Sequence, residues 1–130
     1  MISLSAQYAV RAAMHVARGG AWHTSEEIAR ATAIPPGYIA KILNLLTRSR
    51  ILESQRGSHG GFRVVRDPWQ VTLYEVVRSV DPPSEFGSCR ECESPSIQGC
   101  GVNRIFAEID HQAETRLRNV TIGRLLQDCA

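Results

Sequence analysis

No stretch of the chain approaches the roughly eighteen consecutive apolar residues that a membrane-spanning helix needs. Nor does a charged, apolar and small-residue succession of the export type open it. Both absences point to a cytoplasmic protein. No repeat or low-complexity tract appears. A glycine-rich phosphate loop, a pair of carboxylates set for acid-base work and a Ser/His/Asp order are all missing, so nothing marks the chain as an enzyme. Lysine is scarce too, since of the 15 basic groups only Lys41 is not arginine. Cysteine is limited to 4, and without an export signal so few thiols suit metal ligation or redox chemistry better than a disulfide framework.

What is present suffices for one small core. With 43% hydrophobic residues in a length of 130, the chain is a single domain by size, and a further element has to bury itself against a partner subunit. The net charge of +2 conceals an uneven distribution. Residues 1–80 carry ten basic and five acidic groups and residues 81–130 carry five and eight, a balance of +5 against −3. The planar arginine fork suits phosphate and guanine, so the basic first part is compatible with nucleic acid.

Ser3 or Ser5 can cap a first helix in which Ala9, Val10, Ala13, Met14 and Ala17 recur at helical spacing, with Gly19-Gly20 as its stop. Thr24-Ser25-Glu26-Glu27 is a capping box that opens a short second helix. Ile34-Pro35-Pro36-Gly37 then forces a tight turn, because a residue preceding proline is pushed out of the helical region. From Pro36 to about Arg48 the spacing predicts a third helix that buries Ile39, Ile42, Leu43 and Leu46 while Tyr38, Lys41, Asn44, Thr47 and Arg48 fall toward the other side. Two short helices joined by a turn, the second with polar groups outward, make a helix-turn-helix. Residues 51–55, the glycine-rich Arg56-Gly57-Ser58-His59-Gly60-Gly61 and Phe62-Arg63-Val64-Val65 follow as strand, tip and strand, which is a wing.

A second capping box, Thr72-Leu73-Tyr74-Glu75, starts a helix with Leu73, Val76, Val77 and Val80 inward, and Asp81-Pro82-Pro83 ends it. A long helix is expected from Val102 or Asn103 to Asn119, with Ile105, Phe106, Ile109, Ala113, Leu117 and Val120 on one face. Little is left in the chain to cover that face, so it reads as a dimerisation helix, and Thr121 to Gln127 as a short closing helix.

In a winged helix-turn-helix the exposed helix enters the major groove while flanking amides and basic groups hold phosphates. Thr24, Ser25, Tyr38, Lys41 and Arg48 are placed for that work, and double-stranded DNA is the expected partner. At the wing tip the backbone must turn tightly and approach a sugar-phosphate wall, which selects glycines such as Gly60, and Arg56 or His59 beside them can enter a narrow minor groove.

Cys89, Cys92 and Cys100 fall within twelve residues of a polar loop bent by Pro95, Gly99 and Gly101. Two thiolates at Cys-x-x-Cys spacing can bind one metal, a third completes a face of the site, and soft sulfur suits zinc or iron with inorganic sulfide. Candidates for a fourth ligand are Gln7, Asn103, His111 and Cys129. Competing readings are a Cys89-Cys92 disulfide switch and three reduced thiols that hold nothing.

From Met1 to about Gln127 the chain resembles the iron-sulfur-sensing repressor family of IscR, NsrR and RirA, the Rrf-two superfamily. The likeness rests on Leu4-Ser5-Ala6-Gln7-Tyr8-Ala9-Val10-Arg11-Ala12-Ala13-Met14, on Ile28-Ala29 and Ile34-Pro35-Pro36-Gly37-Tyr38-Ile39, and on Arg56-Gly57 with Gly60-Gly61-Phe62. The cysteine loop and Asn119-Val120-Thr121-Ile122-Gly123-Arg124-Leu125 extend it. The resemblance implies a homodimer with crossed long helices on a partly palindromic operator. It also implies an iron-sulfur cluster, 2Fe-2S or 4Fe-4S, lodged between one subunit's loop and the partner's first helix, whose state controls promoter affinity in redox, iron or nitric oxide sensing. Cys89, Cys92 and Cys100 stand at the positions of the cluster thiolates, Tyr38 and Lys41 in the recognition helix, and Arg56 at the wing. The chain differs in its cysteine gaps, two and seven where members have about five, in Asn103 where some carry histidine, and in Gln7 where some carry an acid.

The expected fold class is therefore mainly α, a winged helix-turn-helix with a small β-hairpin wing plus a long C-terminal dimerisation helix. Residues 1–80 form the DNA-binding region, 81–101 the cysteine cluster loop, and 102–130 the dimerisation and closing helices, all within one structural domain. The alternative to a cluster-controlled regulator is a zinc-stabilised or thiol-disulfide-switched one.

Overall fold

Alanine organises this molecule. The computed structural model describes residues 2–82 and 101–129, the side chains of 101–103 excepted. Its elements run α1 (Leu4–Ala17), α2 (Ser25–Thr32), α3 (Pro36–Arg48), β1 (Leu52–Gln55), β2 (Gly61–Val64), α4 (Leu73–Val80), α5 (Gly101–Arg118) and α6 (Ile122–Asp128). Helix α1 is central: it packs on α2, α3, α4, α6 and β2. Ala6, Ala9, Ala12, Ala13 and Val16 are its buried residues, and such small side chains let neighbouring backbones come close from several sides. Of the residues that carry the periodic signal in the sequence, Ala9 and Ala13 are buried, whereas Val10, Met14 and Ala17 are only partly buried at the edges of that stripe.

Ser3 rather than Ser5 caps α1, its hydroxyl oxygen accepting the Ala6 N–H at 3.1 Å. Asp81, at the far end of α4, accepts both the Ser3 N–H at 2.9 Å and the Ser3 hydroxyl at 2.6 Å. Gly19-Gly20 does not supply a left-handed stop: α1 ends at Ala17, Arg18 is still right-handed, and neither glycine has a positive φ.

Around α1 the helix-turn-helix forms as local chemistry dictates. Both arms of the Thr24–Glu27 capping box are present, at 3.1 and 3.3 Å. Pro36 is the first residue of α3, where its missing N–H costs nothing because that donor has no partner inside a helix anyway. Ile39, Ile42, Leu43 and Leu46 are the buried residues of α3, as the spacing predicts. The left-handed residue between α2 and α3 is Ala33, with φ 56°.

The wing strands pair antiparallel from Leu52 opposite Val64 to Gln55 opposite Gly61. Its tip is a turn closed by the Gly60 N–H on the Gly57 carbonyl at 3.1 Å. On the other side of β2, His23 and Phe62 exchange two backbone hydrogen bonds, 2.9 and 2.7 Å, so the wing is tied to the residue that precedes the α2 cap.

The end of the chain is fastened back onto this head. Thr72, in a complete capping box with Glu75, bridges Thr121, the cap of α6. Leu73 N–H to the Val120 carbonyl (2.8 Å) and Ile122 N–H to the Val71 carbonyl (2.9 Å) lock the two helix starts together. Burial alone would raise the Glu75 carboxyl, but the Arg66 guanidinium at 2.8 Å and the Thr72 amide outweigh it and hold the group below its usual range. Helix α5 lies against α4 yet leaves Ile105 52% and Ile109 53% exposed. No helix among the described residues is long and apolar enough to cross a membrane.

Candidate nucleic-acid interface

The face of α3 opposite the core is a stripe of Gly37, Lys41, Asn44 and Arg48, all exposed and spaced at i, i+4, i+7 and i+11. Among the described residues Lys41 and Arg48 make no ion pair. A free cation on the outward face of a helix is what a groove lined with phosphates attracts, so α3 presents charge without first having to break an internal contact. Tyr38 sits on the flank of the stripe. Its ring meets that of Tyr8 edge to face with centroids 5.5 Å apart, which holds it against α1. Thr47 is excluded from the stripe because its hydroxyl donates to the Leu43 carbonyl at 2.7 Å.

Thr24 and Ser25 stand at the start of α2 beside the wing anchor. The Thr24 side-chain oxygen accepts from Glu27, as the cap requires, and its hydroxyl proton is left for an outside acceptor such as a phosphate oxygen. Next to them His15 and His23 stack edge to face with ring centroids 5.1 Å apart. Burial, then the neighbouring His23 and Arg18, hold the His15 imidazole below its ordinary value, against the opposing pull of Glu27.

At the wing, Arg56 and His59 are exposed and Arg56 makes no ion pair with any described residue. Arg63, the third residue of β2 from the same tip, is bound instead: it donates to Glu53 at 2.8 Å and lies 4.4 Å over the Trp22 ring. Gly60 is buried. A Cβ there would lie 2.1 Å from the Gln55 carbonyl oxygen, so the close approach this glycine permits is to its own hairpin. Gly57, with φ 112° and open space around it, holds the exposed side of the turn. Two outward groups that the residue pattern did not single out as contacts are Asn44 on the stripe and Arg50 just beyond it. Neither stands out in sequence, since Asn44 is a lone amide and Arg50 falls in an ordinary polar connection.

Tyr38 and Lys41 also line a cavity of about 480 Å³ between the start of α1, α3 and the end of α4, which they share with Ser3, Leu45 and Asp81. The proposed metal ligands Cys89, Cys92 and Cys100, and the side chain of Asn103, lie outside the described residues. Gln7 is exposed on α1 and His111 is exposed on α5. Cys129 is a free, exposed thiol. Among the described residues no group of three His, Cys, Asp or Glu side chains is placed to hold a metal ion.

Comparison with known proteins agrees with this geometry. The family model Rrf2, described as an iron-dependent transcriptional regulator, matches residues 2–128. Protein aau3 of Rhizobium meliloti is 33% identical over 124 residues, which is 92% of this chain and 80% of that protein. The fold is shared with CymR, the global cysteine regulator of B. subtilis, at a TM-score of 0.78 and 18% identity over 98% of this chain and 96% of that one. IscR of T. potens superposes equally well, with a TM-score of 0.78 and 17% identity over 100% and 88% of the two chains. A helix-turn-helix with a hairpin wing, a cationic face unpaired among the described residues and a match along nearly its whole length together establish that the chain belongs to the Rrf2 family of DNA-binding transcriptional regulators.

Proposed function

We propose that the chain acts as a homodimer that reads a partly palindromic operator through α3 and the wing, with an affinity set by an iron-sulfur cluster at Cys89, Cys92 and Cys100. The observation that carries the reading is the run of exposed cations, unpaired among the described residues, from Lys41 through Arg48 to Arg56, which joins the outward face of α3 to the wing tip. The iron-dependence in the family's description and the chemistry of three soft thiolates support the sensing half. Gln7, His111 and Cys129, all exposed, are the described side chains available as a fourth ligand, from the same subunit or its partner. When bound, a cluster supplies an iron centre that responds to redox state and to small reactive ligands.

The protein's own residues offer a route from that loop to DNA. Asp81 stands at the root of the loop and binds the α1 cap residue Ser3 through two hydrogen bonds, and both line the cavity that Tyr38 and Lys41 also border. A shift at the root therefore bears on α1 and on the side of the recognition helix. Half-site spacing fixes which separation of two such helices binds tightly, and a change of about 1.4 kcal/mol already alters the dissociation constant tenfold.

Anaerobic purification is expected to give a coloured protein with iron and acid-labile sulfide, and Cys92→Ala to lose the colour while keeping helicity and dimer mass. A colourless protein with stoichiometric zinc, or reversible Cys89-Cys92 oxidation in metal-free protein with a matching affinity change, would instead support the zinc or thiol-switch alternative. For the DNA half, Arg56→Ala is expected to weaken binding about fivefold and to lower the salt slope by about 0.9, the value of one phosphate contact. An unchanged affinity and slope would reject the contact assigned to Arg56.

A further inference from the structure

Arg50 occupies a backbone position that suits glycine. Its φ of 59° lies in the left-handed region, where a side chain crowds the next carbonyl and glycine does not. The reason for the conformation is the way α3 ends. Arg50 N–H bonds the Thr47 carbonyl at 3.0 Å and Ile51 N–H bonds the Leu46 carbonyl at 3.1 Å, the paired closure for which a left-handed residue is required. The accompanying apolar contact comes from Ile51 and Leu46, 2% and 0% exposed, so the packing makes no demand on the side chain at position 50.

That side chain is nonetheless a free guanidinium. Arg50 is exposed and makes no ion pair, hydrogen bond through its side chain or ring contact with any described residue. Arg63, Arg66, Arg118 and Arg124 are all paired with carboxylates by contrast. Ala33 shares the left-handed conformation but brings only a methyl group. Position matters as well: Arg50 lies two residues past Arg48, the end of the outward stripe of α3, and two before β1, which leads to Arg56 at the wing. In the homeodomain, a three-helix variant of the helix-turn-helix, the far end of the groove helix meets the sugar-phosphate backbone.

We propose that Arg50 is a phosphodiester-binding residue, gripping the DNA backbone between the end of the recognition helix and the root of the wing. This rests on the DNA-reading function above. A planar guanidinium can meet two phosphate oxygens at once, and such a contact fixes register without selecting sequence. The rival role is a cation placed to complement the C-terminal dipole of α3, which would show in stability and leave DNA alone.

Full-length Arg50→Gly and Arg50→Lys, compared with the unmodified chain, separate these roles. The probes are a duplex that the unmodified chain selects from a random pool and a second, unselected duplex. Arg50→Gly is expected to melt no lower than the unmodified chain, because glycine relieves the left-handed strain. It should bind both duplexes about fivefold more weakly at low salt, with a salt slope shallower by about 0.9. Arg50→Lys should keep most of the affinity. Unchanged affinity and slope in Arg50→Gly, with or without a lower melting temperature, would overturn the assignment of Arg50 and leave the DNA-reading function standing. Failure of the unmodified chain to bind either duplex would overturn both.

Discussion

Gly61→Ala is expected to lower stability by about 3 kcal/mol or more and to weaken DNA binding at least tenfold, while leaving α5 and α6 intact. Gly61 has φ 138°, and a Cβ built on it would lie 2.3 Å from the His23 carbonyl oxygen and 2.6 Å from its carbon. Those atoms are backbone and cannot swing aside. The overlap falls on the two hydrogen bonds that join His23 to Phe62, so His23 and β2 must separate. Positive-φ strain of about 1–2 kcal/mol and two lost hydrogen bonds of about 0.5–1.5 kcal/mol each account for the loss. Binding suffers because the same two bonds hold the wing against the start of α2, and a loosened wing no longer sets Arg56 at a fixed distance from Thr24 and Ser25.

Gly57→Ala provides the matched comparison. Gly57 also has a positive φ, 112°, but a Cβ there meets nothing within 4 Å. Its cost is expected to be backbone strain alone, about 1–2 kcal/mol, with the His23–Phe62 pairing intact. Thermal unfolding and duplex titration of the two variants, side by side, check the argument. Equal losses in both would mean that strain at the tip, and not the tie between wing and α2, limits the head.

How much of this was legible in the sequence depends on how local the cause is. Both capping boxes, the bounds of α3 and its four buried residues follow from neighbours within one or two turns, and the structure reproduces them. Ala9 and Ala13 of α1 were legible by their spacing, but Ala6, Ala12, Val16 and the central place of the helix were not, because alanine has a weak hydrophobic signal and its importance lies in how closely five partners approach it. Glycines misled in a similar way. Gly19-Gly20 resembles a stop but caps nothing, whereas the left-handed positions at helix ends are held by Ala33 and Arg50. Gly60 looked like a surface for DNA and is buried against Gln55. Among the arginines, sequence cannot separate the free Arg56 from Arg63, whose partner Glu53 lies across the hairpin and is fixed only by strand register.

For the homodimer proposed above, Ile109→Glu is expected to turn dimer into monomer and to cut operator affinity by about a hundredfold or more without unfolding the chain. Ile105 and Ile109 lie one turn apart on α5 and remain half exposed, on a helix whose other side is already engaged with α4. In the proposed homodimer a second copy of the same face covers them, since a two-fold axis brings each stripe onto its equal. A carboxylate at position 109 would then have to be buried without a partner, and the symmetry places two of them in one interface. At several kcal/mol for an unpaired buried charge, of which about 4 kcal/mol is already a thousandfold in the dissociation constant, the dimer cannot persist at micromolar concentration. The isolated chain feels little, because residue 109 faces water there and glutamate is a good helix former. Two half-sites bound by one dimer gain from effective concentration, and that gain disappears when each head binds alone. Sedimentation equilibrium with circular dichroism tests the first part and operator titration the second. A variant that keeps its dimer mass would show that α5 is covered by something other than a second α5.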